Sequence, residues 1–303
     1  MKKLFTLLPC LCLLLFAASA HADDQRAQEI LKQAREAIGG ADRLQKIEAL
    51  HINGQYRRMF GERQMAGDRE ISILLPNKYL VEDSMNMGGL STSMINTRTL
   101  NGDHAWNGSS GGGGMIIRFG GPSGQQATPE QIEAGLRRIY QAEFARYLLA
   151  ITLAPPSSVG VEYKYAGESD VDGDPADVID VTGPDKFSAR LFFDKKTHLP
   201  LLLNYRGPKP RIVTMTRSAG GAPPKTEDVQ KAREEAQKKL EAEDPGKPEE
   251  VDFYIHLSDQ RKVDGLMLPF KFTFLTENEV SEEFEVSKYQ LNPQFKADKF
   301  EKH

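Results

Sequence analysis

The chain has 303 residues, with 39 Lys and Arg against 43 Asp and Glu, for a formal net charge of −4. Because there is no basic excess, the composition argues against nucleic acid as a partner. Both cysteines, Cys10 and Cys12, lie near the N-terminus, so the rest of the chain has no disulfide, thiolate nucleophile or cysteine metal site. Its stability must come from burial of a sizeable core.

Residues 1–22 have the pattern of a signal peptide. Two lysines precede an apolar run over residues 4–18, and small residues place a cleavage site near Ala20 or Ala22. The run is shorter than the roughly 20 residues that span a bilayer. We therefore expect a cleaved leader rather than a retained anchor, and a periplasmic mature protein of residues 23–303 in one domain.

Two segments show helical spacing of apolar residues. The first runs from about Asp24 to Ile38 and ends at Gly39-Gly40, a natural stop. The second begins at Thr128-Pro129-Glu130-Gln131, a capping box with proline at the first helical position. It carries a broad apolar stripe and ends at Pro155-Pro156.

Elsewhere the apolar period is two, which is typical of strands. Such runs lie near residues 50–60, 71–75, 79–82, 90–100, 103–107, 161–165, 178–205, 251–260, 266–276 and 281–289. The pattern predicts turns at Met65–Gly67, Asn101-Gly102 and Val263–Gly265. About a dozen strands with two main helices indicate an α+β fold with one large antiparallel sheet.

The stretch from Val171 to Arg206 shows which side of this sheet is apolar. Its three strand runs are separated by Gly, Pro and Asp turns, and alternate residues share a face. One face should carry Ile179, Val181, Ala189, Leu191, Phe193, Leu201, Leu203 and Tyr205. The opposite face is mixed, with Val178, Phe192 and Leu202 among polar residues. An apolar face needs a cover, and the second helix is the best candidate.

Two segments interrupt the strand pattern. Residues 108–124 are predicted to form a loop that carries a short apolar patch. Residues 219–250 are highly charged and have only a thin apolar stripe, which favours an exposed helical insertion. A docking arm for an envelope protein is the alternative reading of this insertion.

Motifs for catalysis and metal binding are weak. Gly108–Gly112 fits G-x-S-x-G, but it lies in a Gly/Ser-rich stretch that lacks the helix this motif requires. Asp170–Asp174 places acids at alternate positions, yet Pro175 stands where a calcium loop needs glycine. No two histidines have zinc-site spacing. We therefore expect no enzymatic activity, no cofactor and no metal.

Several stretches together resemble the outer-membrane lipoprotein-sorting superfamily, which includes the LolA and LolB carriers and the sensor RseB. They are the helix end Ala37–Gly40, then Leu75–Tyr79, Asn101–Trp106, Val171–Gly173 to Leu199–Leu201, and Val263–Pro269. The resemblance implies a curved antiparallel half-barrel whose helices close a concave apolar side, where acyl chains bind. This chain is longer, carries the charged insertion and lacks a lipoprotein cysteine, so no individual functional residue is transferred.

Three functions follow from these observations. The leading one is a periplasmic carrier or binding protein for lipid or lipoprotein acyl chains, held in an apolar groove between sheet and helices. The alternative is an envelope sensor or interaction module of RseB-like fold, without bound lipid, and an envelope hydrolase is third. The groove is predicted to be lined by Tyr56, Ile71, Ile73, Tyr79, Val81, Trp106, Leu136, Ile139, Leu191, Phe193, Leu201 and Leu203. Plain core packing is the competing role for these residues.

Overall fold

The computed structural model describes residues 24–60, 63–86, 93–110, 128–157, 159–209 and 249–302. The helices are α1 over residues 24–38, α2 at Ala41–Leu44 and α3 at Pro129–Thr152. The strands are β1 Ala49–Phe60, β2 Arg63–Leu74, β3 Lys78–Asn86, β4 Ser93–Asn101, β5 His104–Ser110, β6 Glu162–Val171, β7 Asp174–Thr182, β8 Ser188–Asp194, β9 Pro200–Pro208, β10 Glu250–Val263, β11 Leu266–Thr276 and β12 Glu279–Leu291.

All twelve strands belong to one antiparallel sheet, in the order β5-β4-β3-β2-β1-β12-β11-β10-β9-β8-β7-β6. Two meanders, β1–β5 and β6–β12, join where the first strand pairs with the last. The sheet is open, with β5 and β6 at its edges. The predicted fold class, one large antiparallel sheet with a few helices, is confirmed.

Tight turns set the register of the hairpins. Asp172-Gly173 and Asp264-Gly265 both have positive φ at both residues, 55° and 94° in the first and 49° and 88° in the second. That backbone is the one that two-residue hairpins prefer, because its twist matches the twist of the paired strands. These positions explain why Asp-Gly pairs punctuate the sequence between strand runs.

One side of the sheet, which we call the covered face, carries the main core. α1 and α3 pack on it, and the core draws buried residues from both helices and from all the strands except β6. The predicted stripe of α1 is confirmed, since each of its members is at most 2% exposed: Ala27, Ile30, Leu31, Ala34 and Ile38. The opposite face has a smaller cluster, Val171, Ala176, Val178, Phe192 and Leu202, as its mixed pattern predicted.

The turn predicted at Met65–Gly67 is wrong. These residues lie within β2, paired with Arg58–Tyr56 of β1, and the two strands pair as far as Phe60 and Arg63. Glycine serves a different purpose here, because a Cβ on Gly67 would lie 2.0 Å from the carbonyl oxygen of Ser84. Glycine is required here because β3 lies very close to the backbone of β2, and not because the chain turns at this point.

Two smaller differences concern β5. The turn before it consists of Gly102 and Asp103, one residue later than predicted, because Asn101 already pairs with His104. β5 also continues to Ser110, so the first residues of the predicted loop are strand. Residues 1–22, the predicted leader, lie outside the described residues. So do residues 111–127 and residues 210–248, the second of which holds most of the charged insertion.

Replacing Gly67 with alanine should destabilise the fold by about 1–3 kcal/mol, because the new methyl group would push β2 and β3 apart. Gly135→Ala is the matched control. Gly135 lies inside α3 with nothing within 4 Å of the position that a methyl group would take, so this change should stabilise by about 0.5–1 kcal/mol. Urea unfolding of both variants checks the pair, and equal stabilities would contradict the packing assigned to Gly67.

Candidate functional site

The candidate site is the groove between the covered face and α3. The helix begins as the sequence predicts: the Thr128 side chain accepts from the Gln131 amide, and the Gln131 side chain accepts from the Thr128 amide. It ends at Leu153, which adopts a left-handed conformation. Between these ends α3 crosses the sheet, contacting β4 and β5 near one edge and β9 beyond the centre.

The described part of this groove is filled by side chains. Tyr79 of β3 stacks on Phe144 of α3 with ring centroids 5.4 Å apart. Tyr147 lies 6.1 Å from Tyr79 and 6.2 Å from Phe272 of β11, so four rings form a continuous layer under the helix. A ligand of lipid size would need space that these rings now occupy.

Most of the residues predicted to line the groove come together on the covered face. Eight are buried in the main core, each at most 1% exposed: Tyr56, Ile71, Ile73, Tyr79, Val81, Leu191, Phe193 and Leu203. Leu136 and Ile139 of α3 are partly buried and pack against that core. Whether any of them contacts a ligand stays a prediction.

The other two lie outside the groove. Trp106 alternates with Ala105 and Asn107, which face the core and α3, so it is on the opposite side of β5. Leu201 packs against the smaller cluster because the β8–β9 register shifts between Phe192 and Phe193, a bulge that turns Leu201 away from the face of Leu203. The alternation of faces along β5 accounts for the position of Trp106, and the bulge in the β8–β9 pairing accounts for that of Leu201.

Sequence reasoning missed a group of charges on the covered face, which we call the ion cluster. Arg69 of β2 is 1% exposed and donates two hydrogen bonds to Asp83 of β3, at 2.6 and 2.9 Å. It also donates to Glu282 of β12, at 2.5 and 3.2 Å. Arg58 bonds Glu282 at 2.5 Å, and Arg98 lies 3.5 Å from Asp83.

The pKa values of the two acids reflect this pairing. Burial alone would raise the pKa of Asp83, but Arg69 and Arg98 hold it well below its usual range. Burial would also raise the pKa of Glu282, but Arg69 and Arg58 outweigh that effect and lower it. Both side chains are therefore carboxylates at neutral pH and fully engaged as hydrogen-bond acceptors, which suits them to structure rather than to proton transfer.

A signal for the ion cluster was present in the sequence. Each charged member lies two positions from a buried apolar residue of its own strand, as Arg58 does from Tyr56 and Arg69 from Ile71. Charged side chains on the core-facing side of a strand must be paired if they are buried. The pairing across β1, β2, β3, β4 and β12 needs the register, which the sequence does not supply.

Polar contacts also attach α3 to the sheet. Glu143, midway along the helix, accepts a hydrogen bond from the Tyr79 hydroxyl at 2.9 Å and lies 3.3 Å from Arg98. Tyr140 donates to Asn107 of β5. Arg146 lies over the ring of Tyr205. The helix is thus held by several polar bonds in addition to its apolar stripe.

The residues that the structure describes contain no group of three His, Cys, Asp or Glu side chains arranged to hold a metal ion. None of the helices in those residues is long and apolar enough to cross a membrane. The groove therefore offers apolar and aromatic surface together with paired charges.

Replacing Arg69 with methionine should destabilise the protein by about 3–5 kcal/mol, because Asp83 and Glu282 would remain buried without their main partner. Arg57→Met is the matched control. Arg57 bonds Glu283 and Glu285 at the surface, and its side chain is 45% exposed, so the loss should be at most about 1 kcal/mol. Chemical denaturation measures both, and similar losses would contradict the assignment of the buried charges.

No protein-family model and no curated protein matches the sequence. Solved structures do. A LolA superfamily protein from Nitrosomonas europaea is 11% identical, with a TM-score of 0.46, covering 91% of this chain and 97% of that one. A DUF1329 family protein from Desulfovibrio piger is 11% identical, with a TM-score of 0.45, covering 91% of this chain and 97% of that one. A domain from Vibrio parahaemolyticus, described as a putative outer membrane lipoprotein-sorting protein domain, is 9% identical. Its TM-score is 0.45, and the match covers 92% of this chain and 97% of that one.

With TM-scores below 0.5, these likenesses say nothing of what this chain binds. The resemblance predicted from the sequence recurs among them.

Proposed function

We propose that this chain is a non-enzymatic binding protein of the cell envelope that takes up lipid, or the acyl chains of a lipoprotein, between the sheet and α3. One observation carries the proposal. The covered face is a wide apolar surface, interrupted by the ion cluster, whose cover along much of its width is a single helix. Surface of this kind binds hydrocarbon, since each buried methylene contributes about 0.8 kcal/mol.

The way α3 is attached supports a movable cover. Polar groups in its interface, such as Glu143 and Arg98, can be rehydrated when the helix leaves the sheet. Separating an interface of purely apolar side chains would have no such compensation. The N-terminal part of α3 is also loosely packed, with Ile132 53% exposed. A helix held in this manner can open at modest cost in free energy.

The filled groove corresponds, in this proposal, to the closed form without ligand. Tyr79, Phe144, Tyr147 and Phe272 occupy the space that hydrocarbon would take. Binding therefore requires α3 to move and these rings to separate. Apparent affinity is then the intrinsic affinity reduced by the small fraction of open molecules.

Export to the periplasm and cleavage near Ala20 or Ala22 belong to the same proposal, supported by the leader pattern of residues 1–22. The absence of catalysis is also proposed. The acids of the ion cluster are committed to arginines, which leaves them poorly suited to act as bases. Residues 219–250 remain the proposed contact for an envelope protein partner.

An interaction or sensor module that holds no lipid is the second candidate. The filled groove is the observation that favours it, because a packed interface needs no ligand to complete it. In that case the protein would act through its surface, and deleting the insertion would abolish partner capture without unfolding the domain.

Purified protein should carry copurified lipid in native mass spectrometry, or bind a fluorescent fatty acid with saturable, roughly equimolar stoichiometry after delipidation. Burial of the hydrocarbon chain under α3 supplies the driving force. If extraction yields no lipid and the probe does not bind to protein that remains folded, the carrier proposal fails and the interaction module is favoured.

The same titration tests the role of α3 with two variants of that helix. Glu143→Gln weakens the bonds to Tyr79 and Arg98, so the open form should become more populated and the probe should bind about tenfold more tightly. Glu133→Gln is the control, since Glu133 contacts the exposed His104 and should change little. Unchanged affinity in Glu143→Gln would contradict a closing role for this contact.

A further inference from the structure

Arg146 differs from the other arginines of the groove in having no acid of its own. It lies in α3, with its guanidinium carbon 3.7 Å from the ring centroid of Tyr205 and 5.5 Å from that of Phe187. Its Nε is buried and has no hydrogen-bond partner among the residues that the structure describes, which is also true of Arg98, although Arg98 has acids beside it. Within the same ranges, no carboxylate forms an ion pair with Arg146, whereas Arg58, Arg69 and Arg98 each do.

The nearest acid along the helix is already used. Glu143, three residues earlier, lies 3.3 Å from Arg98 and accepts from the Tyr79 hydroxyl at 2.9 Å. Burial lowers the pKa of Arg146, with Tyr205 and Glu143 opposing that effect. A partly buried guanidinium with an unused donor is a costly arrangement unless an acceptor completes it.

The surroundings of Arg146 are aromatic and accessible. Tyr205 of β9 stacks on Phe253 of β10, with centroids 5.0 Å apart and planes at 11°. Both rings are partly exposed, as is Phe274 on the neighbouring strand, so they form a rim where the groove meets solvent. A guanidinium above such rings offers a fork of donors for an anion, next to a surface for its hydrocarbon.

We propose that Arg146 is the headgroup site of the groove, and that the ligand is an anionic amphiphile whose carboxylate or phosphate group binds this guanidinium. The inference rests on the proposed function and names the class of lipid. The anion binds the Arg146 guanidinium and takes its unused donor, next to the rim, and the hydrocarbon chain lies along Tyr205 and Phe253 toward the core. An uncharged lipid gains nothing from this site.

Three probes of equal chain length separate the possibilities: hexadecanoic acid, hexadecyl phosphate and hexadecanol, each competed against a fluorescent fatty acid. The delipidated protein should bind one or both anions at least about tenfold more tightly than the alcohol, a difference of about 1.4 kcal/mol that one charge-assisted hydrogen bond can supply. The anion that binds with the higher affinity identifies the headgroup as carboxylate or phosphate.

Two variants locate the effect. Arg146→Met should abolish the preference for anions over hexadecanol, because the loss of its contact with Tyr205 affects the opening of α3 equally for all three probes. Arg146→Lys should retain part of the preference. Arg190→Met is the control, because Arg190 is 47% exposed and paired with Asp180 at 2.6 Å, so the preference should persist. Thermal unfolding verifies that each variant is folded.

The outcomes are distinct. If wild-type protein binds the acid, the phosphate and the alcohol equally, the headgroup site is wrong while the lipid-binding proposal survives. A preference that persists in Arg146→Met also overturns it. If none of the three amphiphiles binds, the proposed function fails and the headgroup site fails with it.

Discussion

The covered face of an open, twelve-stranded sheet is the constraint on which the rest of this structure depends. Nearly every strand places apolar side chains on one side, and leaving that side in water would cost most of the free energy of folding. A second sheet could have covered it, but the chain supplies helices. α1 packs with a fully buried stripe, and α3 packs with a mixed one.

The difference between these helices suggests a division of roles. α1 contributes alanine, isoleucine and leucine side chains that are at most 2% exposed, as expected for a permanent part of the core. α3 brings Glu143 and Arg146 into the same interface, and its first turns are exposed. An apolar contact gains specificity from such polar groups and loses some strength. The proposed function assigns opening to α3 for this reason.

Much of the fold could be predicted from the sequence, because period and turn chemistry are local properties. The capping box at Thr128, the Asp264-Gly265 turn and the apolar phase of β7 and β8 all read directly from residue order. Gly67 was misread, since glycine indicates a turn and a close strand contact equally well. Leu201 and the ion cluster depend on a bulge and on pairing between distant strands, which no local pattern specifies.

In the proposed function, α3 moves away from the sheet when a lipid-like ligand binds. Because Cys10 and Cys12 lie in the predicted leader, cysteines introduced at Ile132 of α3 and Val280 of β12, which are 53% and 46% exposed, can carry a pair of spin labels. Pulsed electron resonance then measures the distance between them with and without a bound fatty acid. A shifted distance distribution is expected at saturation if α3 opens. Stoichiometric binding with an unchanged distribution would contradict it.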